Sequence, residues 1–153
     1  MALQLAAVLV LGLMCGSELN VAMFAHPAFS RQPLEVHIRM RAELARLLGR
    51  VMPFWMSGST LLNLLLLLPF EHLNGSAWHF AVVAFAIQVC AVLFSLAFPV
   101  PINNRTAKWT TNSLPEDWRE QERRWDLYHW LRTVALIAGF GILLLSVTFA
   151  SGR

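Results

Sequence analysis

Apolar positions fall into four long runs, at residues 2–25, 51–70, 77–98 and 128–150, with polar connections between them. A transmembrane helix needs about 20 mostly apolar residues, and each run meets that length. Ala77 to Phe98, for instance, gives about 33 Å of helix, enough to cross the hydrocarbon core. The pattern predicts an all-α protein: one transmembrane domain over 1–153, built as an integral membrane four-helix bundle with a juxtamembrane amphipathic helix.

The details of each run refine this. In the first, no Lys or Arg precedes the apolar core, and Gly12-Leu13-Met14 makes a poor lipobox before Cys15, so a retained helix is expected rather than a cleaved signal. Its polar residues come late: Ser17, Glu18, Asn20, then His26. Helical spacing puts Cys15, Glu18 and Ala22 on one face and turns Asn20 about 200° from Glu18. From Pro33, the residues Leu34, Ile38, Ala45 and Leu48 recur at helical spacing among Arg39, Arg41, Arg46 and Arg50. That reads as an amphipathic helix on the bilayer surface, ending near Gly49, with His37 on its solvated side. Pro53 and Pro69 fit the start and end of the second span, and Ser57 to Thr60 form a small-residue patch for close helix approach. Asn63 and Gln88 are lone amides suited to bonds between helices. Asn74-Gly75 marks a tight connection, hence an antiparallel hairpin. Ser113-Leu114-Pro115-Glu116 fits a capping box and predicts a helix from about Leu114 into the fourth span.

Composition supports the membrane reading. The chain is 57% hydrophobic and 14% charged, against about 25% charged in a soluble domain. The net charge of +3 does not imply nucleic acid, because the basic residues flank the apolar runs. Arg31, Arg39, Arg41, Arg46 and Arg50 lie in the first connection; Arg105, Lys108, Arg119, Arg123 and Arg124 lie in the third. This asymmetry places both connections in the cytoplasm and both termini on the non-cytoplasmic side, in the cytoplasmic (inner) membrane. Cys15 and Cys90 form no C-x-x-C pair and read as small buried side chains.

That orientation brings Glu18, Asn20 and His26 to the same depth as the chemistry-rich stretch from Pro99 to Thr133. There Asn103, Asn104, Arg105, Trp109, Trp118, Trp125, His129 and Arg132 are packed into one connection and the start of the last span. Trp118, Trp125, His129, Arg132 and Leu136 share one helical face. An ionisable residue within a span is by default a functional candidate. Simpler roles exist for each: Trp as interface anchor, Arg132 as neutraliser of Glu18, and the two Asn as caps for the exposed carbonyls of the third span or as turn residues.

The string Pro101-Ile102-Asn103-Asn104-Arg105, then Trp109, Leu114-Pro115, Asp117-Trp118, Arg124-Trp125, and His129 with Leu131-Arg132-Thr133, resembles the signature of a family of small four-helix membrane proteins. That family, long described as a domain of unknown function, includes the anthrone oxygenases of polyketide pathways. The resemblance implies an enzyme that uses O₂ to oxidise an activated CH₂ of an aromatic or polyketide-like ketone to a carbonyl. Such chemistry needs a base, donors for the enolate and a dry apolar pocket. His129 is the first candidate base, since imidazole titrates near neutral pH; Glu18 is its rival. Asn103, Asn104, Arg105 and Arg132 would supply donors to the anion, and Trp109, Trp118 and Trp125 would stack on the ring. The expected partners are membrane lipids, a hydrophobic aromatic small molecule and O₂, with a homo-oligomer or a larger membrane complex left open. The residues establish no cofactor. The alternative class is a non-catalytic accessory subunit, or a haem- or quinone-binding membrane protein; His26 and His129 would be the haem pair. A copper or other metal centre would draw on Glu18, His26, His37 or His129.

Overall fold

The computed structural model describes residues 1–68, 73 and 75–151. Helix α1 (Ala2–Asn20) continues through a π-helical turn at Val21–Ala25 into α2 (His26–Ser30). α3 is Leu34–Leu66, α4 Gly75–Ala97, α5 Pro99–Thr106 and α6 Trp118–Ser151. Among the described residues the structure is all-α. Ala2–Ser30, Gly75–Ala97 and Trp118–Ala150 are long and apolar enough to cross a membrane. α3 is also long, at 33 residues, but the Arg-rich half of the helix is continuous with its apolar half.

The chain departs from the sequence expectation at three boundaries, each for a local reason. The first helical run extends to Ser30 instead of stopping at Ala25. In the π turn the His26 N–H reaches back to the Val21 carbonyl, the i→i+5 bond of that geometry. Eight ideal α-helical residues would leave His26 about 80° out of phase with Glu18; a wider turn rotates less per residue and takes up part of that angle. The surface helix and the second span are one element, α3, which runs through Gly49 and Pro53. Pro53 has no N–H for the Gly49 carbonyl, and packing against α1, α4 and α5 offsets that lost bond. Finally, α6 begins at Trp118, not at Leu114. The Ser113 hydroxyl pairs with Thr110 Oγ1 at 2.6 Å. Asp117 serves the helix start: its carbonyl accepts from the N–H of Glu120 and of Gln121, and its Oδ1 accepts from Gln121 Nε2 at 2.8 Å. From there the helix does run unbroken into the fourth apolar run. Pro69 and most of the second connection, including Asn74, lie outside the described residues; Gly75 opens α4 at φ 54°, a left-handed conformation that favours glycine.

The four long helical segments form a closed ring in which α1 and α4 each pack on α3 and α6, and α5 fills one end against α3, α4 and α6. Leu11, Met14, Met56, Leu66, Ala84, Leu136 and Leu143 make the core. α4 and α6 approach closely at Gly139, where a Cβ would meet Ile87 Cγ2 at 3.1 Å. Polar side chains join helices inside this core. Ser59 Oγ donates to Gln88 Oε1 at 3.3 Å, Ser146 Oγ to the Ala77 carbonyl at 2.7 Å, and Trp55 Nε1 to the Val10 carbonyl at 3.2 Å. Asn63 is fully buried in the same layer, and its amide has no hydrogen-bond partner among the described residues. The outer surface carries Leu9, Leu13, Phe54, Leu93, Leu96, Val134 and Phe149, an apolar exterior that suits lipid rather than water. Cys15 is buried as expected, but Cys90 is exposed on α4.

Candidate functional site

At the end of the bundle where α5 sits, Glu18, His129 and Arg132 meet, with exposures of only 2%, 1% and 8%. α1 supplies the carboxylate. α6 supplies the other two from adjacent turns, since residues three apart share a helical face. Glu18 Oε2 accepts from Arg132 Nη2 at 2.5 Å. Arg132 Nη1 donates to Ser95 Oγ at 3.3 Å, which ties the guanidinium to α4. His129 Nε2–H donates to the backbone carbonyl of Glu18 at 3.0 Å. A neutral imidazole so bound keeps its lone pair on Nδ1. That nitrogen lies 3.1 Å from Arg132 Nη2 and 3.1 Å from Glu18 Oε2. The Trp125 ring stacks on His129 with centroids 4.6 Å apart and planes 13° apart.

His129 borders a space shared with His26 and Asp126, and Arg132 faces a different one. It lines an apolar cavity of about 220 Å³ with Met52, Met56, Val92, Ser95, Asn103 and Trp125. Gly49, Pro53 and Asn104 also line it. Gly49 leaves room for the approach of α5: a Cβ there would lie a tight 3.3 Å from Asn103 Nδ2. That amide donates to the Ala45 carbonyl at 2.9 Å, in the middle of α3, and not, as expected of a cap, to the end of the third span.

A second polar network lies beside the first and was not foreseen from the sequence. Arg41 and His37, on α3, are 4% and 5% exposed; His37 is therefore not the solvated side chain expected. Arg41 Nε lies 2.7 Å from Glu122 Oε1, and its Nη1 and Nη2 donate to Asp126 Oδ1, each at 3.0 Å. His37 Nε2 is 2.7 Å from Glu122 Oε1. His26 Nδ1 is 2.8 Å from Asp126 Oδ1. The rings of His26 and Trp125 are 4.6 Å apart. The signal was present as complementary spacing: His37 and Arg41 are i,i+4 on α3, and Glu122 and Asp126 are i,i+4 on α6.

Of the residues singled out from sequence, then, Glu18, His129 and Arg132 converge, and Asn103, Asn104 and Trp125 share the cavity wall with Arg132. Arg105 is exposed at the end of α5 and is not on that wall. Trp109 and Trp118 pack with Ile38 and Ala42 in a separate cluster, their centroids 6.3 Å apart, and hold the connection before α6 against α3. His26 and His129 lie 6.3 Å apart, but both nitrogens of His129 already face protein partners, and guanidinium groups adjoin both rings. Cations beside the ligands disfavour a metal there. Among the described residues, no group of three or more His, Cys, Asp or Glu is placed to hold a metal ion.

A family model described as "Anthrone oxygenase" matches residues 44–142, a stretch that includes Asn103, Trp125, His129 and Arg132 and excludes Glu18, His26 and Arg41. No curated protein and no solved structure matches the chain.

Proposed function

The chain belongs to the anthrone oxygenase family, and we propose that it is a membrane-bound oxygenase that oxidises an activated CH₂ of a flat aromatic ketone. The observation that carries this reading is a buried, fixed guanidinium, Arg132, at the edge of an otherwise apolar cavity. Ligand pockets usually enclose roughly 300–1,000 Å³. A cavity of about 220 Å³ favours a compact planar molecule and O₂ over a bulky substrate.

The reaction balances without an external reductant: R₂CH₂ + O₂ gives R₂C=O + H₂O. Loss of a proton from the CH₂ delocalises negative charge onto the ketone oxygen. Arg132 would hold that oxygen, and a charge-assisted donor in a dry site stabilises the anion far more than water does. The electron-rich anion transfers one electron to O₂, and the two radicals join through a new C–O bond. The peroxide takes up a proton. Loss of the remaining C–H proton and cleavage of O–O then release water and leave the carbonyl. Glu18 and His129 fix Arg132 in place, with His129 bound through Nε2–H to the α1 backbone. Trp125, whose ring already stacks on His129, adds apolar surface to the cavity wall, and Asn103 and Asn104 add amide groups.

The Arg and Lys asymmetry supports an orientation with both basic connections on the cytoplasmic side and both termini outside. The site then sits near the cytoplasmic surface of the membrane, where an apolar substrate can enter from lipid. The test is oxygen consumption with an anthrone by purified protein. Uptake well above the spontaneous rate in wild type, reduced by roughly 10²-fold or more in Arg132→Gln, supports the reading. No uptake by a folded wild type overturns it.

A further inference from the structure

We infer that His26, held by Asp126, is the group that takes and returns the substrate proton, acting through a water-sized gap between His26 and the apolar cavity. The inference rests on the oxygenase reading and adds to it the proton acceptor.

Three observations carry it. First, the two buried imidazoles differ in what their nitrogens are free to do. His129 donates Nε2–H to the Glu18 carbonyl, and its Nδ1 faces Arg132 and Glu18. His26 Nδ1 instead lies 2.8 Å from Asp126 Oδ1 and also contacts Arg41 Nη1, so its Nε2 is the ring nitrogen left without a protein partner among the described residues. The Asp126 carboxylate beside the ring offsets the Arg41 cation when that nitrogen takes a proton.

Second, a small void beside His26 shares walls with the substrate cavity. A void of about 10 Å³ is lined by His26, Arg41, Asn103, Thr106, Glu122 and Trp125, among others, which is room for about one water with polar partners around it. Asn103, Trp125 and Leu48 also line the 220 Å³ cavity, so the two spaces adjoin along these shared walls. One water in that void would pass the proton from a CH₂ held at Arg132 to His26.

Third, His26 also borders a space of about 320 Å³ that Ser30, Glu122, Arg123, Asp126 and His129 line with it. Of the two imidazoles on that space, His26 is the one with a ring nitrogen that no described protein group bonds. The charged and titratable groups facing it are Arg41 and His37 from α3 and Glu122, Asp126 and His129 from α6. The reaction needs no net proton: the one taken from the CH₂ is returned to the peroxide. A single imidazole with one water suffices.

The experiment is anaerobic exchange of the anthrone CH₂ hydrogens in D₂O, measured beside oxygen uptake, on wild type, His26→Gln, His26→Ala and Asp126→Asn in one detergent. Exchange reads proton transfer without O₂ chemistry. The expected result is exchange lowered by roughly 10²-fold or more in His26→Gln, with anthrone affinity little changed. The acid limb of the wild-type pH profile should vanish in that variant. Added imidazole should restore exchange in His26→Ala, a rescue that a merely structural role would not show. Asp126→Asn should slow exchange and shift the acid limb. Wild-type exchange that persists undiminished in both folded His26 variants overturns the inference and leaves the oxygenase reading standing. A folded wild type with neither exchange nor uptake overturns both.

Discussion

Glu18 and Arg132 meet at 2.5 Å across 114 residues of sequence, joining α1 to α6 by a charge pair that water scarcely reaches. Buried pairs of this kind contribute little net stability, because both charges lose hydration, but removing one partner strands the other. Glu18→Gln and Arg132→Gln should therefore each destabilise the bundle by roughly 3–5 kcal/mol. The double variant should recover most of that loss yet remain inactive. Thermal unfolding in detergent measures it; a double variant no more stable than the singles would mean that the pair does not act as a unit.

His129 is predicted to position Arg132 rather than to carry the proton. His129→Ala should lower turnover and destabilise the protein. His129→Asn or His129→Gln, whose amide N–H can still donate to the Glu18 carbonyl, should restore part of both. A wild-type acid limb should persist in the amide variants. Turnover lost equally in all three, with the limb gone, would make His129 the base after all.

Much of the bundle was legible in the sequence, because four apolar runs and the spacing of Trp125, His129 and Arg132 are local patterns that survive folding. The meeting of Glu18 with that face followed from membrane orientation alone. The boundaries were less legible. Pro53 and Gly49 looked like helix ends because local rules know nothing of α5, whose Asn103 holds the α3 backbone at Ala45. Ser113 and Glu116 matched a capping box, yet Asp117 won the helix start. The Arg41–Asp126 network was missed since its partners lie 85 residues apart, and each alone looks like a solvated surface charge.

Gly49 offers a local test of the cavity wall. Gly49→Val would push Asn103 off the Ala45 carbonyl and crowd the cavity. Substrate affinity should fall by roughly 10-fold or more, the scale of a lost hydrogen bond plus overpacking, with the bundle still inserted. A binding titration that gives wild-type affinity would show that this wall does not meet the substrate.

Orientation can be read by cysteine accessibility in intact cells. Because Cys90 is exposed, the background must be Cys90→Ala. A cysteine at Lys108 should resist an impermeant reagent added outside, and one at Met1 should react. The reverse labelling would invert the topology and move the site to the opposite face of the membrane.

The most direct measurement of the central claim follows the oxygen itself. Purified protein is given an anthrone under ¹⁸O₂, and product and water are analysed alongside oxygen uptake. The account predicts one O₂ consumed per CH₂ oxidised, one ¹⁸O in the new carbonyl and the other in water, with the enzyme-dependent rate lost in Arg132→Gln. Carbonyl oxygen drawn from solvent, or a folded wild type no faster than the spontaneous reaction, would contradict it.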